Sequence, residues 1–322
     1  MNKSSAIKAH SSIFSGEDCF LPLSHGIALM VVDILIALFG TFGNFLVCIA
    51  ILTNPRLRRG SNIPLLSLAI ADLIVTMTCE PLVVAIVGKR TLQHECTPVL
   101  ERAYSLTANL SCSSSLMHLV AISTDRVLAV IIPLRHRRIM MNYGLKIMLT
   151  VVWIVAFAYA AIRHLFPDKT HYLTVVMFAC GYSIKSVCYS FILLTLVRVR
   201  KRNSHLRAQS SVDINFKIER RIAGTLAIVI IMFSITWFPL IIVFYTTGKP
   251  LVKMYGPAFM WIRSLALSNS AMNFVIYNAR TREFRDAYIA ISRKMFSCRL
   301  ITRFSSIFVF RSDSGPTHES QL

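Results

Sequence analysis

Long apolar stretches of this chain contain ionisable side chains, and six of these are candidates for function. They are Asp72, Glu80, Glu101, Arg126, Lys185 and Arg263. If these stretches cross a membrane, each charge costs about 2.5–3.5 kcal/mol at the centre of a span, so such residues mark functional sites. Acids and bases of this kind form a proton or ion path in a transporter or channel, or a charge-paired switch in a receptor. The sequence contains no arrangement of nucleophile, base and acid for covalent catalysis, and we expect no enzyme activity.

The stretches around these charges have the length and composition of membrane-spanning helices. Hydrophobic residues make up 55% of the 322 residues and charged residues 16%, a mixture too apolar for a soluble chain of this size. A membrane helix needs about 20 apolar residues. Seven stretches satisfy this requirement, at residues 27–52, 62–87, 97–130, 143–162, 172–198, 221–246 and 254–278. The sequence therefore predicts an all-α fold, a bundle of seven transmembrane helices.

Basic residues set the orientation of the predicted bundle. Eight of the 35 Lys and Arg residues lie in the N-terminal tail and the loops on its side, whereas 20 lie in the opposite loops and the C-terminal tail. By the positive-inside rule the N-terminus is extracellular and the C-terminus cytoplasmic. Although the net charge is +20, the basic residues follow this topology and form no face interleaved with aromatic residues. We therefore expect no nucleic-acid binding.

The predicted spans divide the chain into four parts. An extracellular tail, residues 1–26, has no apolar core of the kind found in a cleavable signal peptide, so the first span should direct insertion. The seven-helix domain covers residues 27–278. Residues 279–296 alternate basic and apolar side chains at helical spacing, which predicts a short amphipathic eighth helix on the inner leaflet. A cytoplasmic tail, residues 297–322, follows.

Two of the eight cysteines, Cys19 and Cys96, fall on the predicted extracellular side. This side is oxidising, and both residues lie near the same membrane surface, which favours a disulfide over two free thiols. The other cysteines fall in spans or on the cytoplasmic side. Cys298, just beyond the eighth helix, is a candidate for palmitoylation.

Short motifs occur in order along the predicted helices, one or two in each. They are Gly43-Asn44, the run from Leu68 to Asp72, Asp125-Arg126-Val127, Trp153, Tyr189, Trp237-Phe238-Pro239 and the run from Asn273 to Tyr277. With these motifs the chain resembles the rhodopsin-like (class A) G-protein-coupled receptors, from about residue 27 to residue 296. The resemblance implies a plasma-membrane receptor that passes the signal of an extracellular ligand to a heterotrimeric G protein by an outward swing of helix 6.

The resemblance implies a switch at the cytoplasmic face. Its residues are Asp125, Arg126, Tyr189, Glu219 and Tyr277. We expect Arg126 to pair with Asp125 and Glu219 when this face is closed, and with a G-protein helix and Tyr189 when it is open. The alternative is an arginine that only snorkels to the membrane interface. Val127 replaces the tyrosine usual in this motif.

The resemblance also implies a sodium site around Asp72. The residues matching the family's site are Asp72, Ser111, Ser115, Asn269 and Asn273, with Asn44 and Trp237 beside them. A hard cation prefers oxygen ligands of these kinds. The alternative is a hydrogen-bonded polar plug that holds the helices together. Apart from this allosteric ion we expect no cofactor.

Trp237 and Pro239 match the family's toggle beneath the ligand pocket, where proline kinks the sixth helix and allows its cytoplasmic half to swing. Two positions depart from the family. Phe274 replaces the usual proline of the seventh helix, and Gly181 replaces that of the fifth. We therefore expect the seventh helix to be straighter than in most relatives.

The extracellular half departs further from the family. Ala108 replaces the aspartate that binds amines and Leu267 the lysine that binds retinal, so a peptide or a small non-amine ligand is favoured. Glu101 replaces the usual disulfide cysteine of the third helix. The expected pocket residues are Glu80, Glu101, Asn109, Cys112, Phe244 and Arg263. Arg263 either anchors a ligand anion or pairs with one of the two acids. Some features are similar to melanocortin receptors and others to melatonin receptors.

The tails predict further contacts. Asn2 begins a glycosylation sequon, and the final residues Ser320-Gln321-Leu322 fit a PDZ-binding terminus. The resemblance adds arrestin as a partner. Two other functions stay open: a seven-helix transporter or channel with Asp72, Lys185 and Arg263 on its path, and a signalling-silent relative that acts as a dimer partner.

Overall fold

Long α-helices account for most of the chain. The structure, a computed structural model, describes residues 19–58, 62–166, 170–205, 210–247, 256–280 and 282–294. The helices are α1 (Leu23–Thr53), α2 (Ile63–Gln93), α3 (Pro98–Ile131), α4 (Leu145–Leu165), α5 (His171–His205), α6 (Ser210–Thr247), α7 (Pro257–Arg280) and α8 (282–294), with a short helical segment (Pro133–Ile139) between α3 and α4. The predicted all-α bundle of seven helices is confirmed, and an eighth helix follows it.

Within the described residues, α1 to α4 and Tyr172–Thr195 of α5 are long and apolar enough to cross a membrane, whereas the apolar stretch of α6, Ala227–Val243, is shorter. The interior of α7 carries polar side chains, which lowers its hydropathy; Arg263, Ser264, Asn269, Ser270 and Asn273 are all buried. The helices α5 and α6 run past the predicted spans, and the residues that extend them, 199–205 and 210–220, are mostly polar.

Six of the helices form a closed ring, and α3 is one of its members. Neighbours pack in the order α1, α2, α3, α5, α6 and α7, α7 packs back on α1, and α4 lies outside against α3. Large apolar side chains such as Phe39 and Ile154, each 61% exposed, cover the outer surface. Lipid-facing helices need such a surface, and the polar side chains turn inward.

A hydrogen-bonded histidine joins α2, α3 and α4. His118 Nε2 lies 2.7 Å from Ser67 Oγ, and its Nδ1 lies 2.8 Å from the carbonyl oxygen of Ser114. The indole of Trp153 donates to the same Ser67 hydroxyl at 3.0 Å and meets the His118 ring edge to face. His118 is therefore a packing residue whose ring nitrogens both have hydrogen-bond partners.

The predicted disulfide between Cys19 and Cys96 is confirmed, with the two Cα atoms 5.3 Å apart. It ties the segment before α1 to the loop between α2 and α3. At the other end of the bundle, the ring of Phe284 of α8 contacts two tyrosine rings, those of Tyr277 of α7 and Tyr288 of α8. These contacts hold α8 against the ends of α1 and α7.

Candidate functional site

The C-terminal end of α3 carries an ion pair between neighbouring residues. Arg126 Nη2 donates to Asp125 Oδ2. The other carboxylate oxygen, Oδ1, lies 2.7 Å from Nε2 of His136 in the short helical segment after α3. Asp125 is buried and Arg126 only 16% exposed at its side chain, so the pair is shielded from water. Asp125 thus holds both the arginine and the following segment in place.

The remaining residues of the predicted switch lie on α5, α6 and α7. Tyr277 is buried in α7, and Tyr189 of α5 is half-buried. The side chain of Glu219 lies outside the described part of the structure. The closed pairing predicted for Arg126 is therefore seen here for Asp125 alone.

Asp72 lies at the centre of the bundle and is fully buried. Asn273 Nδ2 donates to its Oδ2 at 2.7 Å, and the Ser115 hydroxyl donates to its Oδ1 at 3.3 Å. These contacts join α2 to α7 and to α3. A buried carboxylate needs such partners, because an unpaired charge in an apolar interior costs far more than a hydrogen bond returns.

The other predicted sodium ligands lie close by but face different partners. Ser111 donates to the carbonyl oxygen of Thr107 at 2.7 Å, and Asn269 is buried in α7. Asn44 donates to the carbonyl oxygens of Ser270 at 2.9 Å and Gly40 at 3.0 Å. Its own Oδ1 is buried without a hydrogen-bond partner among the described residues. This oxygen could coordinate a cation, since no described residue donates a hydrogen bond to it.

Aromatic rings of α5 and α6 contact one another near the middle of the bundle. Trp237 packs between Phe178 of α5, at 4.8 Å between ring centroids, and Phe233 of α6, at 5.7 Å. Lys185 is fully buried, and its Nζ lies 3.6 Å from the centroid of Phe233. This is a cation–π contact, and the ammonium has no hydrogen-bond partner among the described residues. Pro239 lies inside α6, two residues after Trp237.

A cavity of about 110 Å³ opens above Trp237. Its wall contains four of the residues predicted for a ligand pocket, which are Glu101, Asn109, Cys112 and Arg263. Ala108 and Leu267 also line it, as do Phe178, Phe259 and Leu240, so the wall is mostly apolar. The predicted pocket residue Glu80 is not among the described residues of this wall. The side chain of Phe244 lies outside the described part.

Of the two roles expected for Arg263, the ion pair with Glu80 or Glu101 is not found among the described residues. Glu101 Oε1 binds Arg90 Nη2 at 2.7 Å, at the point where α2 continues to Gln93. Arg263 makes no ion pair with a described carboxylate; its guanidinium lies over the ring of Tyr104, 4.9 Å from the centroid. Glu80 is fully buried behind the cavity.

Sequence reasoning missed three residues of these clusters. Asp33 is fully buried in α1, within electrostatic range of Glu80 and Arg263. Its signal was an acid inside the first apolar span. Arg90 was assigned to a loop, and His136 carried no signal beyond a histidine near Arg126. The positions of Asn2, Cys298 and the final three residues lie outside the described residues.

The sequence model of the 7 transmembrane receptor (rhodopsin family) matches residues 43–171 and 166–277. The histamine H2 receptor of Homo sapiens is 26% identical to this chain, over 92% of the chain and 86% of the relative. Those of Cavia porcellus and Canis lupus familiaris are each 25% identical over the same shares.

Proposed function

The chain belongs to the rhodopsin family of seven-transmembrane receptors, and on that premise we propose how this G-protein-coupled receptor carries its signal. A ligand in the cavity moves Trp237, α6 swings outward about Pro239, and Arg126 leaves Asp125 to bind the G protein. The observation that carries this proposal is the unbroken aromatic contact from the cavity wall, through Phe178 and Trp237, to Phe233 in the centre of the bundle.

The ion pair of Arg126 with Asp125 stabilises the closed state of this switch. Hydrogen bonds to charged groups contribute about 1.5–3 kcal/mol each, so exchanging this pair for G-protein contacts can shift the equilibrium of the two states by about 10- to 100-fold. The charge pair thus makes the cytoplasmic face bistable.

Sodium would stabilise the closed state at the centre of the bundle. Asp72, Ser115 and the unpaired Oδ1 of Asn44 are the oxygens that support this proposal, with Ser111 and Asn269 close by. A bound cation would neutralise the Asp72 carboxylate. This chain's own residues orient that carboxylate, because Asn273 and Ser115 each hold one of its oxygens.

We place the N-terminus outside the cell and the C-terminus in the cytoplasm, in the plasma membrane. The disulfide of Cys19 with Cys96 supports this topology, since such bonds persist in oxidising surroundings. Arrestin is a proposed partner at the cytoplasmic face, and a PDZ domain at Leu322.

The cavity lacks the aspartate with which amine receptors bind an ammonium group, so it favours a ligand that is not an amine. The relatives named above are histamine receptors, but Ala108 offers no carboxylate on the α3 side of the wall. A peptide terminus or a small non-amine molecule fits this mostly apolar wall.

Receptor-catalysed nucleotide exchange on purified heterotrimers tests this proposal. Arg126→Ala and Trp237→Leu should each lower exchange, because one removes the G-protein contact and the other breaks the aromatic connection. Trp261→Leu is the matched control, since Trp261 lies at the extracellular end and contacts His25. Equal exchange in Trp237→Leu and Trp261→Leu would show that the aromatic stack does not carry the signal.

A further inference from the structure

The cavity wall contains two charged residues among those described, and they differ in one respect. Glu101 is neutralised by Arg90 at 2.7 Å. Arg263 is 4% exposed, and its Nε and Nη2 are buried without a hydrogen-bond partner among the described residues. A buried guanidinium with unused donors is costly. The wall therefore presents one cation whose hydrogen bonds await an acceptor.

The geometry of Arg263 suits an oxyanion. Its guanidinium lies over the face of Tyr104, at 4.9 Å, and such stacking engages the plane of the group while leaving the N–H groups at its edge available. Those N–H groups form a fork that matches the two oxygens of a carboxylate.

Two acids lie behind Arg263, on α1 and α2. Glu80 is fully buried, neither of its oxygens has a hydrogen-bond partner among the described residues, and it attracts Arg263 electrostatically. Asp33, which lies beside Ser264, also attracts Arg263 electrostatically. Neither acid belongs to the described cavity wall, and neither is within ion-pairing distance of Arg263. They position the guanidinium and reduce its positive potential, but they leave its donors unoccupied.

We propose that the ligand of this receptor is a small organic anion, an apolar body carrying a carboxylate that binds Arg263. The apolar body fits against Phe178, Phe259 and Leu240 above Trp237. This inference rests on the proposed role of the cavity as the ligand site and names the chemistry of its occupant. An amine would meet Arg263 with a like charge and would find Ala108 opposite.

Matched probes that differ only in charge test this proposal. The probes are benzoate, benzamide and benzylamine, and 3-phenylpropionate with its amide and amine. Each is titrated against the purified full-length receptor, and binding is measured as the rise in unfolding temperature. We expect an acid of each set to bind about 10- to 100-fold more tightly than its amide, the range of one charge-assisted pair. The amines should bind most weakly.

Variants then assign the preference to a residue. Arg263→Gln should reduce the affinity of the acids to that of the amides, and Arg263→Lys should keep part of the preference. Arg102→Gln is the matched control, because Arg102 is an exposed arginine on the neighbouring helix, and it should change nothing. Glu80→Gln should tighten acid binding, since it removes a negative charge behind Arg263. Each variant's unfolding temperature without probe reports whether it folds.

Three results would overturn the proposal: no acid binds, acids and amides bind equally, or the preference for acids survives Arg263→Gln. If the amine probes bind best and lose affinity in Glu80→Gln, the site binds cations through its acidic residues, and the proposal is wrong. The measurement contains no G protein. The charge preference can therefore be measured even if the chain does not activate G proteins. Failure of this proposal and failure of the proposed signalling function are thus distinguishable.

Discussion

Replacing Gly43 with alanine should destabilise the closure of the helix ring. A Cβ at this position would lie 1.9 Å from Cδ1 of Phe274, so the ring would have to retreat by about 1.6 Å to reach van der Waals contact. Overpacking of this kind costs about 1–3 kcal/mol, and we expect the upper half of that range because the obstacle is a ring packed between helices. The helical preference of alanine offsets about 0.5–1 kcal/mol.

The net loss of about 1–2 kcal/mol should lower the unfolding midpoint by several degrees, since about 2–4 °C per kcal/mol is usual for domains of 150–250 residues. The assay is thermal unfolding of the purified receptor in detergent, followed by labelling of its buried cysteines. Gly88→Ala is the matched control, because its Cβ would meet only Met30 Sδ, at 3.4 Å. It should leave the midpoint unchanged or raise it.

The partner is identified by a second substitution. In a Phe274→Ala background the ring is absent, so Gly43→Ala should lose its penalty, with a coupling energy of about 1–3 kcal/mol. If Gly43→Ala behaves like Gly88→Ala, or if its effect is the same in both backgrounds, the close approach of α1 and α7 is refuted.

Three further predictions concern the sites. Asp72→Asn should abolish any dependence of agonist affinity on sodium relative to a large organic cation, whereas a sodium effect that survives the substitution would place the ion elsewhere. His136→Phe should raise ligand-independent nucleotide exchange by up to about 10-fold, because Asp125 loses a charged hydrogen bond that stabilises the closed state. Unchanged basal exchange would show that this contact does not stabilise the closed state. Cys19→Ser with Cys96→Ser should lower the unfolding midpoint, and a reductant should bring the wild type to the same value but leave the variant unaffected.

The bundle could be predicted from the sequence because hydropathy and charge act over whole spans. About 20 apolar residues and a one-sided distribution of lysine and arginine suffice to place a helix in a bilayer. The pairing of Cys19 with Cys96 followed from the same topology. The cluster around Asp72 was also accessible, since a lone carboxylate at that depth requires polar neighbours.

Pairings between particular side chains could not be predicted, because they depend on where helices end and how they rotate. Arg90 reaches Glu101 because α2 continues to Gln93, past the predicted span. The position of Phe274 predicted a straighter α7, but not that Gly43 makes room for its ring. Asp33 joined Glu80 and Arg263 only once α1, α2 and α7 were packed together.

The measurement that tests the central claim most directly is nucleotide exchange on heterotrimers of every Gα class. The wild type and Glu219→Gln should accelerate exchange on at least one class. Without ligand Glu219→Gln should be the faster, because it removes the partner proposed for Arg126 in the closed state. Arg126→Ala should abolish the acceleration while folding normally. Silence of both the wild type and Glu219→Gln across all classes would contradict the account and identify a relative that does not signal.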